Sequence, residues 1–206
     1  MHIAEGVLSP SVLSAGAVLA CAGTAIGLRR IDYDRLMGVG MLASAFFVAS
    51  LIHVPVGVSS AHLLGTGLLG VLLGWAAFPA ILVALLLQAL LFQYGGLTVL
   101  GVNACSMGFA AILAHYAYRA LSALGRGQNT PAHPVAAFVC GALGVALAAV
   151  LTAMALTFTD EGFTAAAVAL LVAHLPVMLA EGCVTMFTVG FMARVRPEVL
   201  AGGCTR

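Results

Sequence analysis

The residues best suited to chemistry stand at the very start of the chain. The Met1 α-amine, the His2 amide nitrogen and the His2 imidazole are spaced to close two fused chelate rings on one metal ion. Such a tridentate nitrogen set suits square-planar Ni(II) or Cu(II), and a fourth nitrogen from elsewhere would complete the plane. The plain alternative is a frayed, solvated terminal histidine. His62 is a candidate for the fourth position: it lies in Gly57-Val58-Ser59-Ser60-Ala61-His62-Leu63-Leu64-Gly65-Thr66-Gly67. Ser60 can cap a helix there, and Gly65 and Gly67 admit a second backbone at close range. The alternative for His62 is an interfacial histidine bonded to a neighbouring carbonyl, and His53 competes for the ligand role.

Two further segments carry polar groups into apolar surroundings. The stretch from Phe92 to Asn103 is rich in glycine and holds Gln93, Thr98 and Asn103, all expected to point back into the protein. Irregular backbone at membrane depth is stable only when buried in protein or lining a cavity, so a re-entrant wall over a site is expected. Asn103 can orient an imidazole by a hydrogen bond or can cap the following helix. His174, Met178 and Glu181 repeat at i, i+4 and i+7, sharing one helical face. Both ionisable groups are costly in lipid. Their face therefore looks into the bundle or at a partner protein, as a metal or proton path or as a polar clasp between helices, and Pro176 between them kinks the helix.

The elements that position these groups follow from composition. Of 206 residues, 63% are hydrophobic and 7% charged, against about a quarter charged in soluble domains. No water-soluble surface can be built from this. The class is an all-α polytopic membrane bundle, a single integral domain spanning 1–206. Apolar runs fall near Ser11 to Leu28, Leu36 to Ile52, Ala61 to Ala76, Pro79 to Phe92, Cys105 to Leu121, Val135 to Phe158 and Ala165 to Ala193. One helix from Ala61 to Phe92 would be about 48 Å long at 1.5 Å per residue, well beyond the ~30 Å hydrocarbon layer, so two spans are expected there and seven in all.

Seven spans put all eight arginines on one side: Arg29, Arg30, Arg35, Arg119, Arg126, Arg194, Arg196 and Arg206. That side is cytoplasmic by the positive-inside rule. The N-terminus, the two loops and Asp160-Glu161 then face outward. No arginine or lysine precedes residue 29, and an acid stands at position five, so the start does not read as a signal peptide and Met1 is expected to stay. The chain has no lysine, which excludes a Walker A nucleotide loop. There is no basic stripe for nucleic acid. Cys21, Cys105, Cys140, Cys183 and Cys204 are scattered, and core packing is expected of the four in or beside apolar runs.

Met1-His2-Ile3-Ala4-Glu5-Gly6, Ser59-Ser60-Ala61-His62 with Gly65-Thr66-Gly67, and Gly95-Gly96-Leu97-Thr98-Val99-Leu100-Gly101-Val102-Asn103-Ala104-Cys105-Ser106-Met107 resemble the substrate-capture component of energy-coupling-factor cobalt/nickel transporters, the CbiM/NikM family. The resemblance covers essentially the whole chain. It implies a seven-helix bundle whose N-terminal segment inserts from outside and holds Co(II) or Ni(II), the transported substrate. The ligands it implies are the Met1 amine, the His2 amide nitrogen and imidazole, and the His62 imidazole, with Asn103, Ser60 and Thr98 beside them. Tyr94 departs from the resemblance, standing where many relatives carry a histidine before the paired glycines.

The partners implied are a transmembrane coupling protein and two cytoplasmic ATPases, with a small accessory membrane subunit as an open addition. The setting implied is the bacterial inner membrane. Two rival readings come from other classes. A membrane electron-transfer subunit would hold haem between intramembrane histidines such as His115 and His174. An intramembrane hydrolase would need H-E-x-x-H or G-x-S-x-G, and neither occurs.

Overall fold

Apolar runs broken by glycine, proline and short polar segments become helices in the computed structural model, which describes residues 2–32, 34, 36–51, 53–56, 59–63, 65–124, 133–197 and 200, with backbone alone for 53–56 and 59–62. The helices are α1 (Pro10–Arg29), α2 (Leu36–Leu51), α3 (Thr66–Leu73), α4 (Ala77–Phe92), α5 (Leu100–Leu124), α6 (Pro134–Thr159), α7 (Thr164–Ala173) and α8 (Leu175–Val195). Between α2 and α3 lies a two-stranded antiparallel ribbon, β1 (His53–Val56) and β2 (Ser59–His62). Among the described residues five apolar stretches are long enough to cross a membrane, and α2 is a shorter sixth. The chain is a multi-pass membrane protein.

Helix α5 serves as the central post, and glycine contacts show which way its neighbours run along it. On α1, Gly16 packs on Val102 and Gly23 on Phe78; on α3, Gly70 meets Ala111 and Gly74 meets His115. Both helices therefore run with α5. Helix α4 runs against it, with Phe78 at Gly108 and the loop after it bringing Gly95 to Asn103. The chain reverses at Gly74–Ala76, where Gly74 has φ 56° and ψ −125°, a conformation with positive φ that glycine alone adopts readily.

Three boundaries differ from those expected. The third run does not begin as a helix at Ala61, because Ala61 and His62 belong to β2, and α3 has only eight residues, about 12 Å. Ser60 consequently caps no helix: Gly65, with φ 62°, occupies that position. The last run is broken into α7 and α8 at His174. Pro176 lacks the N–H that would continue the ladder, and the His174 ring, through Nδ1, donates to the Leu170 carbonyl at 2.7 Å. Nδ1 must carry the hydrogen, since a carbonyl only accepts.

The core is built on small residues. Ala77, Ala104, Ala110, Ala111, Ala148 and Phe78 are fully or almost fully buried, so helices approach closely and packing, rather than a hydrophobic drive out of water, supplies cohesion. Gln88, which no motif singled out, is buried and donates from Nε2 to Ser50 Oγ and to the Phe47 carbonyl, tying α4 to α2. Cys140 is buried, and the Cys105 thiol donates to the Gly16 carbonyl at 3.3 Å. Cys21 and Cys183 are exposed instead of packed in the core, which a thiol tolerates where the surroundings are apolar. Cys204 lies outside the described residues.

A Cβ on Gly67 would sit 2.5 Å from the Cys140 carbonyl oxygen and from Gly141 Cα. Neither is a movable side chain. Gly67→Ala should therefore destabilise the bundle by about 1–3 kcal/mol, whereas Gly40→Ala on the open face of α2 should be neutral or slightly stabilising. Denaturation of the two variants in detergent micelles checks the contrast.

Candidate metal centre

The N-terminal segment folds into the bundle. His2 is 7% exposed and Ile3 1%, so the main chain there must find its hydrogen bonds inside the protein. Asn103, in the first turn of α5, supplies them. Its Oδ1 accepts the Ile3 N–H at 3.0 Å, and its Nδ2 donates to the Ile3 carbonyl at 3.3 Å. One side-chain amide thus pairs with one residue of main chain as a neighbouring strand would. Asn103 neither caps α5 nor bonds an imidazole in this arrangement; it holds the residue directly after His2.

The glycine-rich loop after α4 closes over the same segment. Gly95 (φ 77°) lies against Asn103 and His2, its ideal Cβ position being 3.6 Å from His2 Cβ. Gly96 (φ 131°) abuts the Glu5 side chain so closely that any side chain there would overlap it. Glu5 Oε1 accepts the Thr98 N–H at 3.1 Å and the Thr98 hydroxyl at 3.2 Å. Thr98 is therefore a clasp on Glu5. Gln93 is exposed instead of pointing inward, and Tyr94 stacks on Phe92 with ring centroids 5.8 Å apart. Beneath the loop, Ile3, Leu8, Val99, Val102 and Leu156 form a small apolar cluster.

The ribbon brings His62 directly opposite His53 in the antiparallel register. The two candidates for the fourth position are thus neighbours in the backbone. Met1 and the side chains of Ser60, His62 and His53 lie outside what is described, so the expected meeting of Met1, His2 and His62 falls there too. The structure brings His2, Asn103, Thr98 and the loop together. Glu5 is the residue that motif reasoning left without a role; its signal was an acid two positions after a buried apolar residue in an otherwise uncharged segment.

Of the two ionisable groups His174 and Glu181, only Glu181 is seen to bond another element. Both are fully buried, and Glu181 Oε1 accepts the Gly65 N–H at 2.5 Å. His115 packs against Gly74, and its Nδ1 donates to the Gly70 carbonyl at 3.1 Å. It stands toward one end of α3, whereas Glu181 engages the other, and His174 lies two turns before Glu181 on α8. Most of the ~12 Å of α3 separates the two levels, and one haem cannot be held between histidines so placed.

Residues 2–199 match the family model CbiM, described as the cobalt uptake substrate-specific transmembrane region. The chain belongs to the CbiM family. A Haemophilus influenzae protein named for metal transport is 42% identical over 201 residues, covering 97% of each chain. A Sorangium cellulosum cobalt transport protein, CbiM, is 36% identical, covering 97% of this chain and 94% of its own. A fused nickel transport protein, NikMN, of Archaeoglobus fulgidus is 32% identical over 97% of this chain and 68% of its own. Among solved structures, a transition metal transporter superposes with a TM-score of 0.82 at 27% identity, over 95% of this chain and 93% of the other. This CbiM-family bundle thus shares its fold with a metal transporter.

Replacing Asn103 by Ala leaves a buried N–H and a buried carbonyl of Ile3 without partners, at a cost of about 1–3 kcal/mol each. Deuterium exchange across residues 2–9 should rise sharply in Asn103→Ala and less in Asn103→Asp, which keeps the acceptor. Thr98→Val retains the main-chain N–H to Glu5 and should raise exchange least of the three.

Proposed function

We propose that this CbiM-family chain captures Co(II) or Ni(II) outside the cell and is the membrane subunit through which an ATP-driven transporter imports the ion. The metal is held by four nitrogens: the Met1 amine, the His2 amide nitrogen, the His2 imidazole and the His62 imidazole. The observation that carries this reading is the buried N-terminal segment, with His2 sealed under the glycine loop and Ile3 held by both ends of the Asn103 amide. A terminus with no task would remain in solvent. The ribbon supports it as well, since it presents His62 at the start of α3.

Helix directions support seven crossings. Helices α1, α3 and α5 run one way, and α4 runs the other. Helix α2 runs with α4, as Val39 lies near Ala80 and Ser50 meets Gln88. Helix α6 ends beside the N-terminal segment, where Thr159 Oγ1 accepts the Ser9 N–H, and α8 returns. Of the described arginines, Arg29 and Arg30 close α1, Arg119 lies in the last turns of α5 and Arg194 ends α8. These stand at the far end from the N-terminal segment, which favours an external N-terminus and a cytoplasmic C-terminus in a bacterial inner membrane. Without a lysine for a nucleotide loop, energy comes from partners: a coupling protein, two ATPases and, where required, a small accessory subunit. The ion supplies corrin synthesis or nickel enzymes, in keeping with relatives named for either metal.

The amine and both imidazoles must shed their protons to bind, and the amide must ionise. With an amine pKa near 8 and imidazoles near 6.5, protons compete progressively as pH falls, so affinity is highest in mild alkali and declines through neutrality. Titration calorimetry of the purified chain at several pH values checks the sign. Acetylating the amine, or inserting one residue between Met1 and His2, should abolish high-affinity Ni(II) and Co(II) binding. Undiminished binding in either would refute the chelate.

A further inference from the structure

Among the described residues Glu181 is the one fully buried acid, and the capture chemistry does not use it. Its carboxylate is fully buried in α8, where a charge is retained only if it is held. Oε1 accepts the main-chain N–H of Gly65, 116 residues away, at 2.5 Å. Gly65 has φ 62° and is the residue at which the chain enters α3. Three positions earlier, β2 ends at His62. The first N–H groups of a helix have no partner within it and carry the positive end of its dipole, so a carboxylate is well matched to this place.

The junction is fixed from a second side. Gly67 lies on Gly141 of α6, and Gly141 in turn touches the Glu181 carbonyl and Thr185. The start of α3, the first half of α6 and the first half of α8 meet at one point, and the only side-chain hydrogen bond described across it to the α3 entry is that of Glu181. The break at His174 and Pro176 sets where α8 begins, and with it the height at which Glu181 reaches Gly65.

We propose that Glu181 is a positioning residue for the fourth metal ligand: by holding the Gly65 N–H it sets where the chain enters α3, and with it the main-chain position of His62 three residues earlier. It acts through the main chain and does not itself touch the metal. The inference rests on the reading of His62 as a ligand.

The test uses the purified full chain in detergent, titrated with Ni(II) alone and read by calorimetry and by the visible absorption of the planar nickel site. His62→Ala should shift the band and weaken binding. Glu181→Leu should reproduce that band shift with an affinity loss of about 10–100-fold. Glu181→Gln, whose amide oxygen still accepts the N–H, should restore the wild-type band and most of the affinity. The double variant His62→Ala/Glu181→Leu should bind as His62→Ala does, because both remove one contribution. A wild-type band and affinity in Glu181→Leu, or losses that add in the double variant, would overturn the inference while leaving the four-nitrogen reading intact. An unchanged His62→Ala would remove that reading and the inference with it. Should Glu181→Leu fail to fold, Glu181→Asp shortens the reach by one methylene; a partial band shift supports the proposal, and an unshifted band with full affinity defeats it.

Discussion

A buried peptide group must be hydrogen-bonded, and in this molecule that requirement falls on the first few residues of the chain. Ile3 is enclosed by apolar side chains and has no helix or sheet of its own to join. The Asn103 amide offers it one acceptor and one donor in a single planar group. A carboxylate in its place would lack the donor, and an ammonium or guanidinium the acceptor. Around this pairing the other parts take their places: Gly95 and Gly96 lie flat enough to cover the segment, Thr98 anchors Glu5, and Val99 and Val102 form the floor.

The same demand explains the other irregular stretch. The ribbon and the residues after it are non-helical between two apolar helices, a position that lipid would punish. Its two strands pair along their facing edges, and the N–H at its exit, Gly65, is taken by Glu181 from α8. Two irregular segments, one stabilised by an amide and the other by a carboxylate, are thus set into a bundle of regular helices. Small residues at the crossings let those helices approach until packing alone is sufficient.

Much of this was legible beforehand. The apolar runs marked where the helical segments lie, because a run of that length in an almost uncharged chain is most stable as a helix, but the third begins inside β2 and the last is broken in two at His174. The length limit on a single helix from Ala61 to Phe92 and the break at Trp75 to Pro79 anticipated the reversal between α3 and α4. What misled was local chemistry read without its surroundings. Ser60 has the right type for a cap, but the chain there pairs as a strand; Gln93 is polar but ends α4 in a left-handed conformation facing outward. Gln88 carried no periodic signal, since its partner Ser50 lies 38 residues away.

The sequence by itself determined the membrane class, the helical runs, the placement of basic residues and the presence of a histidine directly behind the first methionine. These are properties of composition and spacing, set by the transfer of side chains between water and lipid. Only the tertiary structure decided that Asn103 grips the main chain of Ile3, that Thr98 answers to Glu5, and that Glu181 closes on Gly65. Those pairings join residues about a hundred positions apart. They exist because each buried polar group takes whichever partner the packed helices bring within reach, and sequence spacing holds no record of that distance.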